Sequence, residues 1–253
     1  MKRILSLFLT LIMLLPLLIS CADGKSRDKE IAEKNEEDGE YNILILGDDL
    51  MDQSKAYEYF NKFCKANDKD VVVEHRTEKD ARLYTFADLC ESDKGFAEQV
   101  SKAEMIIFEE GTAETATTVE SLERILEYAN DPITVNVNFY GYQKRFYKSI
   151  FKEKFKDMQY ADADYYVKSI IASDEYILGY EHLYMDDRIH PNRLCGYLTA
   201  IVIYCEVFNA TPKVMNFESF EYDKKLLSCV PEEWQGREDE LWDKLHEMLI
   251  DLM

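Results

Sequence analysis

Residues 42–50 read Asn-Ile-Leu-Ile-Leu-Gly-Asp-Asp-Leu, and this stretch decides the fold. Four apolar residues in succession are typical of a β-strand that is buried on both faces. The glycine that ends the run and the two aspartates after it indicate the loop that follows such a strand. Strands buried on both faces occur mainly in parallel sheets, because helices cover both sides of those sheets. The stretch therefore predicts a parallel α/β fold.

Further strands and helices alternate along the chain after this stretch. Short β-rich runs occupy residues 71–73, 105–108 and 133–137, and helical periodicity fills residues 117–129. Alternation of strands with helices is typical of a doubly wound parallel sheet with helices on both faces. We therefore expect a three-layer α/β/α, flavodoxin-like fold, with a single domain over residues 41–253.

The C-terminal third is mainly helical. Pro191 suits a first helical turn, and residues 198–208 are apolar enough to pack against the sheet. Residues 231–253 carry apolar side chains at helical spacing, which predicts a closing amphipathic helix.

The N-terminal segment has the order of an export signal. Two basic residues precede an almost wholly apolar run over residues 4–19, which is short for a membrane-spanning helix of about 20 residues. Residues 18–21, Leu-Ile-Ser-Cys, resemble the lipobox that lipoprotein signal peptidase cleaves. We therefore expect residues 1–20 to be a signal peptide and Cys21 to carry acyl chains. That anchor would hold the protein on the extracytoplasmic side of the cell membrane, and a plain N-terminal membrane anchor is the alternative.

The charge of the chain is strongly acidic. Residues 22–40 contain almost nothing apolar and are predicted to form a solvated, disordered acidic tether between the lipidated cysteine and the domain. Over the whole chain 30 basic residues face 50 acidic ones, a net charge of −20. Phosphate backbones repel such a surface, so we expect no nucleic-acid partner. The simplest interpretation of the negative charge is that it keeps a protein tethered close to a membrane soluble.

The remaining cysteines give no sign of a disulfide framework or a metal site. Their number is odd and no CxxC spacing occurs, so we expect mostly buried thiols, no metal and no cofactor. These cysteines are Cys64, Cys90, Cys195, Cys205 and Cys229.

Three polar segments are expected to meet at one edge of the sheet. Residues 47–50 follow the first strand, residues 109–114 follow the third, and residues 187–192 precede the late apolar helix. In open α/β sheets the ligand site lies beyond the carboxyl ends of the strands. The three segments are therefore the candidate site.

The same segments resemble the sequence blocks of SGNH/GDSL hydrolases. Members of that family open with a strand and Gly-Asp-Ser-Leu, carry Gly-x-Asn-Asp in mid-chain and finish with Asp-x-x-His-Pro. This chain reads Gly-Asp-Asp-Leu at 47–50, Phe-Glu-Glu-Gly-Thr-Ala-Glu at 108–114 and Asp-Asp-Arg-Ile-His-Pro-Asn at 186–192. The resemblance covers roughly residues 41–212. It implies the fold of that family and its hydrolysis of ester bonds on glycans or lipids.

The resemblance also implies a role for each matching residue. Asp187 and His190 match the orienting acid and the catalytic base, whereas Asp49 stands where the family has its nucleophilic serine. The oxyanion-hole block falls on Gly111, Thr112 and Ala113, and Ala113 replaces the asparagine that donates to the oxyanion. Loss of one such donor costs about 100- to 1000-fold in rate.

Two functions remain open after these substitutions. The first is an SGNH-type esterase that is impaired or inactive as a serine esterase. The second is a non-catalytic lipoprotein that keeps the hydrolase fold and binds a glycan, an ester or a partner.

A displaced nucleophile is an alternative to a lost one. Ser54, Thr112 and Thr115 carry hydroxyl groups near the predicted strand ends. Ser54 is expected on the helix after Asp49, pointing away from the site, and turn or helix-capping roles are favoured for Thr112 and Thr115, because threonine is common at such positions.

Two further groups of side chains have alternative interpretations. Glu109 and Glu110 could bind a cation together with Asp48 and Asp49, although solvated loop carboxylates are favoured in so acidic a chain. The aromatic residues within 139–147 could stack on sugars, although aromatic side chains at this spacing more often belong to a core.

Overall fold

A computed structural model describes residues 27–110, 115–140, 150–173, 175, 177–216 and 223–253. Within these ranges, five parallel strands form one sheet in the order β2-β1-β3-β4-β5. The predicted doubly wound α/β fold is confirmed, as are the first four strands. The strands are β1 (Tyr41–Gly47), β2 (Val71–Thr77), β3 (Met105–Glu109), β4 (Ile133–Val137) and β5 (Gln159–Ala161).

Helices cover both faces of this sheet. The elements are α1 (Arg27–Asp38), α2 (Asp49–Ser54), α3 (Ala56–Ala66), α4 (Leu83–Ser92), α5 (Lys94–Lys102), α6 (Thr115–Leu126), α7 (Lys152–Lys154), α8 (Ala163–Ile171), α9 (Arg193–Phe208), α10 (Lys224–Leu227) and α11 (Glu238–Leu252), with 3₁₀ turns at Tyr180–His182 and Glu232–Trp234.

Strand β1 divides the core into two clusters. Ile43 and Ile45 belong to the cluster that contains residues of α2, α3, α8, α9 and α11, whereas Leu44 and Leu46 belong to the cluster that contains residues of α4, α5 and α6. Successive side chains of a strand point to opposite faces, so a continuous apolar run supplies both clusters. This is why residues 42–50 determine a three-layer fold.

Helix α9 is the central helix of the first cluster. Its N-cap is Asn192, whose side chain accepts hydrogen bonds from the backbone N–H groups of Leu194 and Cys195 at 3.0 and 3.1 Å. Pro191 therefore precedes the cap and does not lie in the first helical turn, contrary to the prediction. The helix is apolar over most of its circumference because the sheet, α3 and α8 surround it.

The tether prediction was wrong for residues 27–38, which form helix α1. Ile31 is 3% exposed and belongs to the core cluster of α9. The Arg27 guanidinium donates to the carbonyl oxygen of Val207 at 3.1 Å, and Asn35 donates to the carbonyl oxygen of Asp70 at 2.8 Å. The composition of residues 22–40 is that of a disordered segment, but one buried side chain and these hydrogen bonds dock the helix. The folded domain therefore begins before residue 41.

The cysteines are buried or half-buried thiols where the structure describes them. Cys64, Cys90, Cys195, Cys205 and Cys229 are free. Burial raises the pKa of the Cys195 thiol to about 12, so this group stays protonated at neutral pH. Cys21 and the predicted signal peptide lie outside the described residues. Across the described ranges, no helix combines the length and the apolar character needed to cross a membrane.

The docking of α1 predicts that Ile31→Ala destabilises the domain. Removal of a buried isoleucine side chain to alanine costs about 2–5 kcal/mol of unfolding free energy. Lys29→Ala on the exposed side of the same helix is the control, since the Lys29 side chain is 66% exposed and its change should cost less than about 0.5 kcal/mol. Urea denaturation of the domain measures both changes. Equal stability of the two variants would mean that α1 is not docked.

Candidate active site

Three side chains from two distant parts of the chain meet beyond the carboxyl end of β1. Asp49 begins α2 directly after this strand, and the loop before α9 carries Asp187 and His190. One carboxylate oxygen of Asp49, Oδ2, lies 3.8 Å from Nε2 of His190. On the other side of the ring, Nδ1 of His190 lies 2.5 Å from Oδ2 of Asp187. The imidazole therefore stands between two carboxylates.

The turn at Asp187 fixes the orientation of His190. Oδ1 of Asp187 accepts hydrogen bonds from the backbone N–H groups of Ile189 and His190, both at 2.9 Å. Arg188 between them has a φ of 57°, a left-handed conformation that lets the turn close on itself. The side-chain contact with His190 and these two backbone donors lower the pKa of Asp187 to about 2. Asp187 is therefore ionised at neutral pH and can orient a histidine ring.

Residues outside the turn hold it in place. The Tyr140 hydroxyl donates to the carbonyl oxygen of Ile189. The backbone N–H of Met185 donates to the carbonyl oxygen of His190 at 2.9 Å. Tyr140 belongs to the aromatic run for which sugar stacking was considered, and here it contacts the histidine turn. Phe139 beside it is buried, and residues 141–147 of the run lie outside the described part of the chain.

The two aspartates after β1 have different surroundings. The side chain of Asp48 caps α2, where it accepts a hydrogen bond from the N–H of Leu50 at 2.8 Å. Asp49 is turned toward His190, and its Oδ1 accepts a hydrogen bond from the N–H of Asp80 at 2.5 Å. The loop after β2 thus contributes to the site through Asp80, a contact that no pattern in the sequence indicates.

Glu109 and Glu110 correct an expectation, since they are not solvated. Their exposed fractions are 2% and 5%, and Oε2 of Glu110 accepts a hydrogen bond from the N–H of Leu83 at 3.0 Å. Arg82 lies 3.9 Å from the other oxygen of Glu110. Glu110 therefore joins the end of β3 to the start of α4. The described residues contain no group of three or more histidine, cysteine or acidic side chains placed to bind a metal ion.

Of the alternative nucleophiles, Ser54 is enclosed in the protein. Its side chain is fully buried and donates to the carbonyl oxygen of Met51 at 3.3 Å. Buried and bonded to its own helix, this hydroxyl cannot reach a substrate. The block of Gly111, Thr112 and Ala113 lies outside the described residues, and so does the side chain of Thr115.

Asn138 is a candidate residue that the sequence analysis missed. It follows β4 at the same edge of the sheet and is completely buried. Its side-chain N–H donates to the carbonyl oxygen of Tyr140 at 3.4 Å, so it supports the residue that holds the histidine turn. Its position directly after a predicted strand was the available signal.

A cleft of about 690 Å³ is lined by residues close in sequence to Asp49, Asp187 and His190, but not by these three residues themselves. Ligand pockets in proteins usually have volumes of about 300–1000 Å³. The cleft is lined by residues that flank each member of the site in sequence, among them Asp52 and Lys55 on the α2 side, Met185 and Asp186 before Asp187, and Asn192 and Arg193 after His190.

The amino-acid sequence matches no protein-family model and no curated protein. Solved structures share the fold. A DUF4886-family protein from Bacteroides uniformis is 9% identical, with a TM-score of 0.51 over 67% of this chain and 83% of that one. A gut microbial diltiazem-metabolizing enzyme is also 9% identical, with a TM-score of 0.51 over 70% of this chain and 49% of its own. A lipase from a goat rumen metagenome is 13% identical, with a TM-score of 0.48 over 66% and 98% of the two chains.

The two structures with TM-scores of 0.51 share the three-layer α/β/α fold of this chain. The chain spans about half the length of the diltiazem-metabolizing enzyme.

The geometry of the site depends on the absence of a side chain at Gly196. A Cβ atom there would lie 1.9 Å from the carbonyl oxygen of Ser54, so α9 and α2 are in backbone contact. Gly196→Ala should therefore force α9, which the His190 loop precedes, away from α2, which carries Asp49, at a cost of at least about 1–3 kcal/mol. Gly95→Ala in α5 is the matched control, because its nearest neighbour is a flexible side-chain oxygen at 3.3 Å and alanine favours helix. Denaturation midpoints measure both, and equal effects would mean that the contact at Gly196 is loose.

Proposed function

We propose that this chain is a lipid-anchored, extracytoplasmic protein of the SGNH/GDSL hydrolase type whose site has lost its serine nucleophile. The observation that carries the proposal is the contact of 3.8 Å between Asp49 and His190, with Asp187 at 2.5 Å on the opposite nitrogen of the ring. This is the arrangement of an acid, a base and a nucleophile, except that a carboxylate occupies the nucleophile position.

The chemistry of acyl transfer explains the consequence. In a serine hydrolase the histidine takes the hydroxyl proton as serine attacks, and preorganised donors receive the oxyanion. Asp49 has no hydroxyl proton to give to His190. If its carboxylate attacked an ester, the product would be an anhydride, and Ala113 supplies no side-chain donor to the oxyanion. Asp187 and His190 therefore have neither the hydroxyl nucleophile that a histidine base activates in a serine esterase nor the side-chain donor that stabilises the oxyanion.

The alternative function is a non-catalytic ligand- or partner-binding lipoprotein. The cleft beside the site supports it, since this volume is adequate for a small ester or a sugar and does not depend on a nucleophile. Met185, which is 46% exposed and lines the cleft, is available for apolar contact with such a ligand.

The nucleophile position predicts the results of one substitution series. The wild type should be inert toward simple acyl esters and toward serine-directed phosphonate probes. Asp49→Ser should recover weak turnover and phosphonate labelling, because a serine there faces His190. Addition of Ala113→Asn should raise the rate by up to about 100-fold, the scale on which one oxyanion donor acts. The effects should be more than additive, because both groups serve one transition state.

Two controls belong to this series. Asp49→Ala should stay inert, and His190→Ala in the Asp49→Ser background should abolish the recovered turnover. Wild-type turnover that survives Asp49→Ala but disappears with Thr112→Ala would contradict the proposal, since it would mean that the nucleophile has moved.

The proposed anchor predicts the behaviour of Cys21→Ala. Acyl chains on Cys21 would supply the membrane affinity, so this substitution should abolish incorporation of labelled fatty acid and leave the protein unprocessed or released. Ser20→Ala keeps a small residue before the cysteine and should be processed normally. Membrane retention of Cys21→Ala, with no lipid label on the wild type, would indicate a plain membrane anchor.

A further inference from the structure

The candidate site and the start of the described chain lie at opposite ends of the domain. Asp49 follows the carboxyl end of β1, and Asn192 caps the N-terminus of α9 two residues after His190. Arg27, the first described residue, bonds to Val207 at the other end of α9. Helix α9 has 16 residues and is therefore about 24 Å long, at 1.5 Å per residue.

Other contacts of α1 place the whole helix at the amino-terminal edge of the sheet. Asp28 pairs with Lys69, and Asn35 bonds to Asp70, just before β2 begins. Lys34 lies 3.8 Å from Glu104, which directly precedes β3. Strand β1 has seven residues, so this edge is about 20 Å or more from the carboxyl edge that carries the site.

The covalent chain limits how far the proposed anchor can be from α1. Six residue steps separate Cys21 from Arg27, and an extended chain spans at most about 3.6 Å per residue, or about 21 Å. If the site faced the bilayer, Arg27 would stand at least the length of α9 above the surface. A fully extended chain would then fall short of the membrane.

The net charge of −20 repels the whole domain from anionic headgroups and does not by itself choose an orientation. A docked posture with the site pressed onto the bilayer is opposed by the reach of the chain.

We propose that the site opens away from the membrane that carries the protein, and that its ester ligand comes from the aqueous phase or from a glycan there. Lipids of the same bilayer are excluded as ligands by this orientation. The inference rests on the proposed lipid anchor at Cys21, but it does not depend on whether the site is catalytic.

Energy transfer from the protein to the membrane tests the orientation. Full-length lipidated protein is reconstituted into vesicles that contain acceptor-labelled headgroups, with a donor dye on Asp68→Cys or on Tyr84→Cys. The Asp68 side chain is 90% exposed at the amino-terminal edge, and Tyr84 is 49% exposed at the start of α4, near the carboxyl edge. Lipidated protein without an added cysteine corrects for labelling of native thiols.

The dye at position 68 should be strongly quenched and the dye at position 84 weakly quenched. Their distances from the labelled headgroups are expected to differ by about 20 Å, the length of one strand. A Gly/Ser insertion of about 30 residues between Ser26 and Arg27 should largely abolish the difference, since such a linker has a root-mean-square span of about 30 Å. Equal or stronger quenching of the Tyr84 dye without the insertion would overturn the orientation. Failure of the lipid label and of vesicle binding would overturn the anchor, and this inference with it. Neither readout requires turnover, so the loss or presence of esterase activity is judged separately.

Discussion

Helices α2 and α9 meet at backbone contact, and the position of Gly196 against the carbonyl oxygen of Ser54 makes this contact the constraint on the site. Asp49 is the first residue of α2, and α9 begins three residues after His190. The backbones of the two helices are in contact at their crossing point, so neither helix can move without the other. A shift of α2 would move Asp49, and a shift of α9 would move the loop that carries His190. The distance of 3.8 Å between the side chains of Asp49 and His190 thus depends on a residue that has no side chain.

Much of the fold could be predicted from local patterns, and the exceptions have physical reasons. Strands β1 to β4 are apolar runs or β-branched runs that need no tertiary information to be recognised. Strand β5 has three residues and takes part in the sheet only because β4 offers an unpaired edge. Helix α1 was missed because, among its described side chains, only Ile31 is buried, whereas disorder was predicted from the composition of the whole segment.

The candidate site also contains residues that could be predicted from the sequence and residues that could not. Asp49, Asp187 and His190 were predicted to lie together from the rule on strand ends and from the resemblance of their segments, and their side chains do lie together. Their chemical roles stay predictions. The supporting contacts of Asp80, Tyr140 and Asn138 depend on how separate loops approach one another, and no local pattern encodes that approach. The burial of Glu110 likewise follows from its bond to Leu83, a residue 27 positions away.

The surroundings of Asp49 explain how the fold keeps its form with a carboxylate in this position. Asp48 already caps α2, so residue 49 is not needed for the helix start. A carboxylate that is 18% exposed would be costly without partners, but the N–H of Asp80 satisfies one oxygen and the other faces the imidazole. A serine hydroxyl is shorter and could not reach both groups in the same way. The loop after β2 therefore takes part in holding Asp49, and Asp49→Ser would release that loop. The proposed substitution series at Asp49 therefore also tests how far this loop depends on the carboxylate.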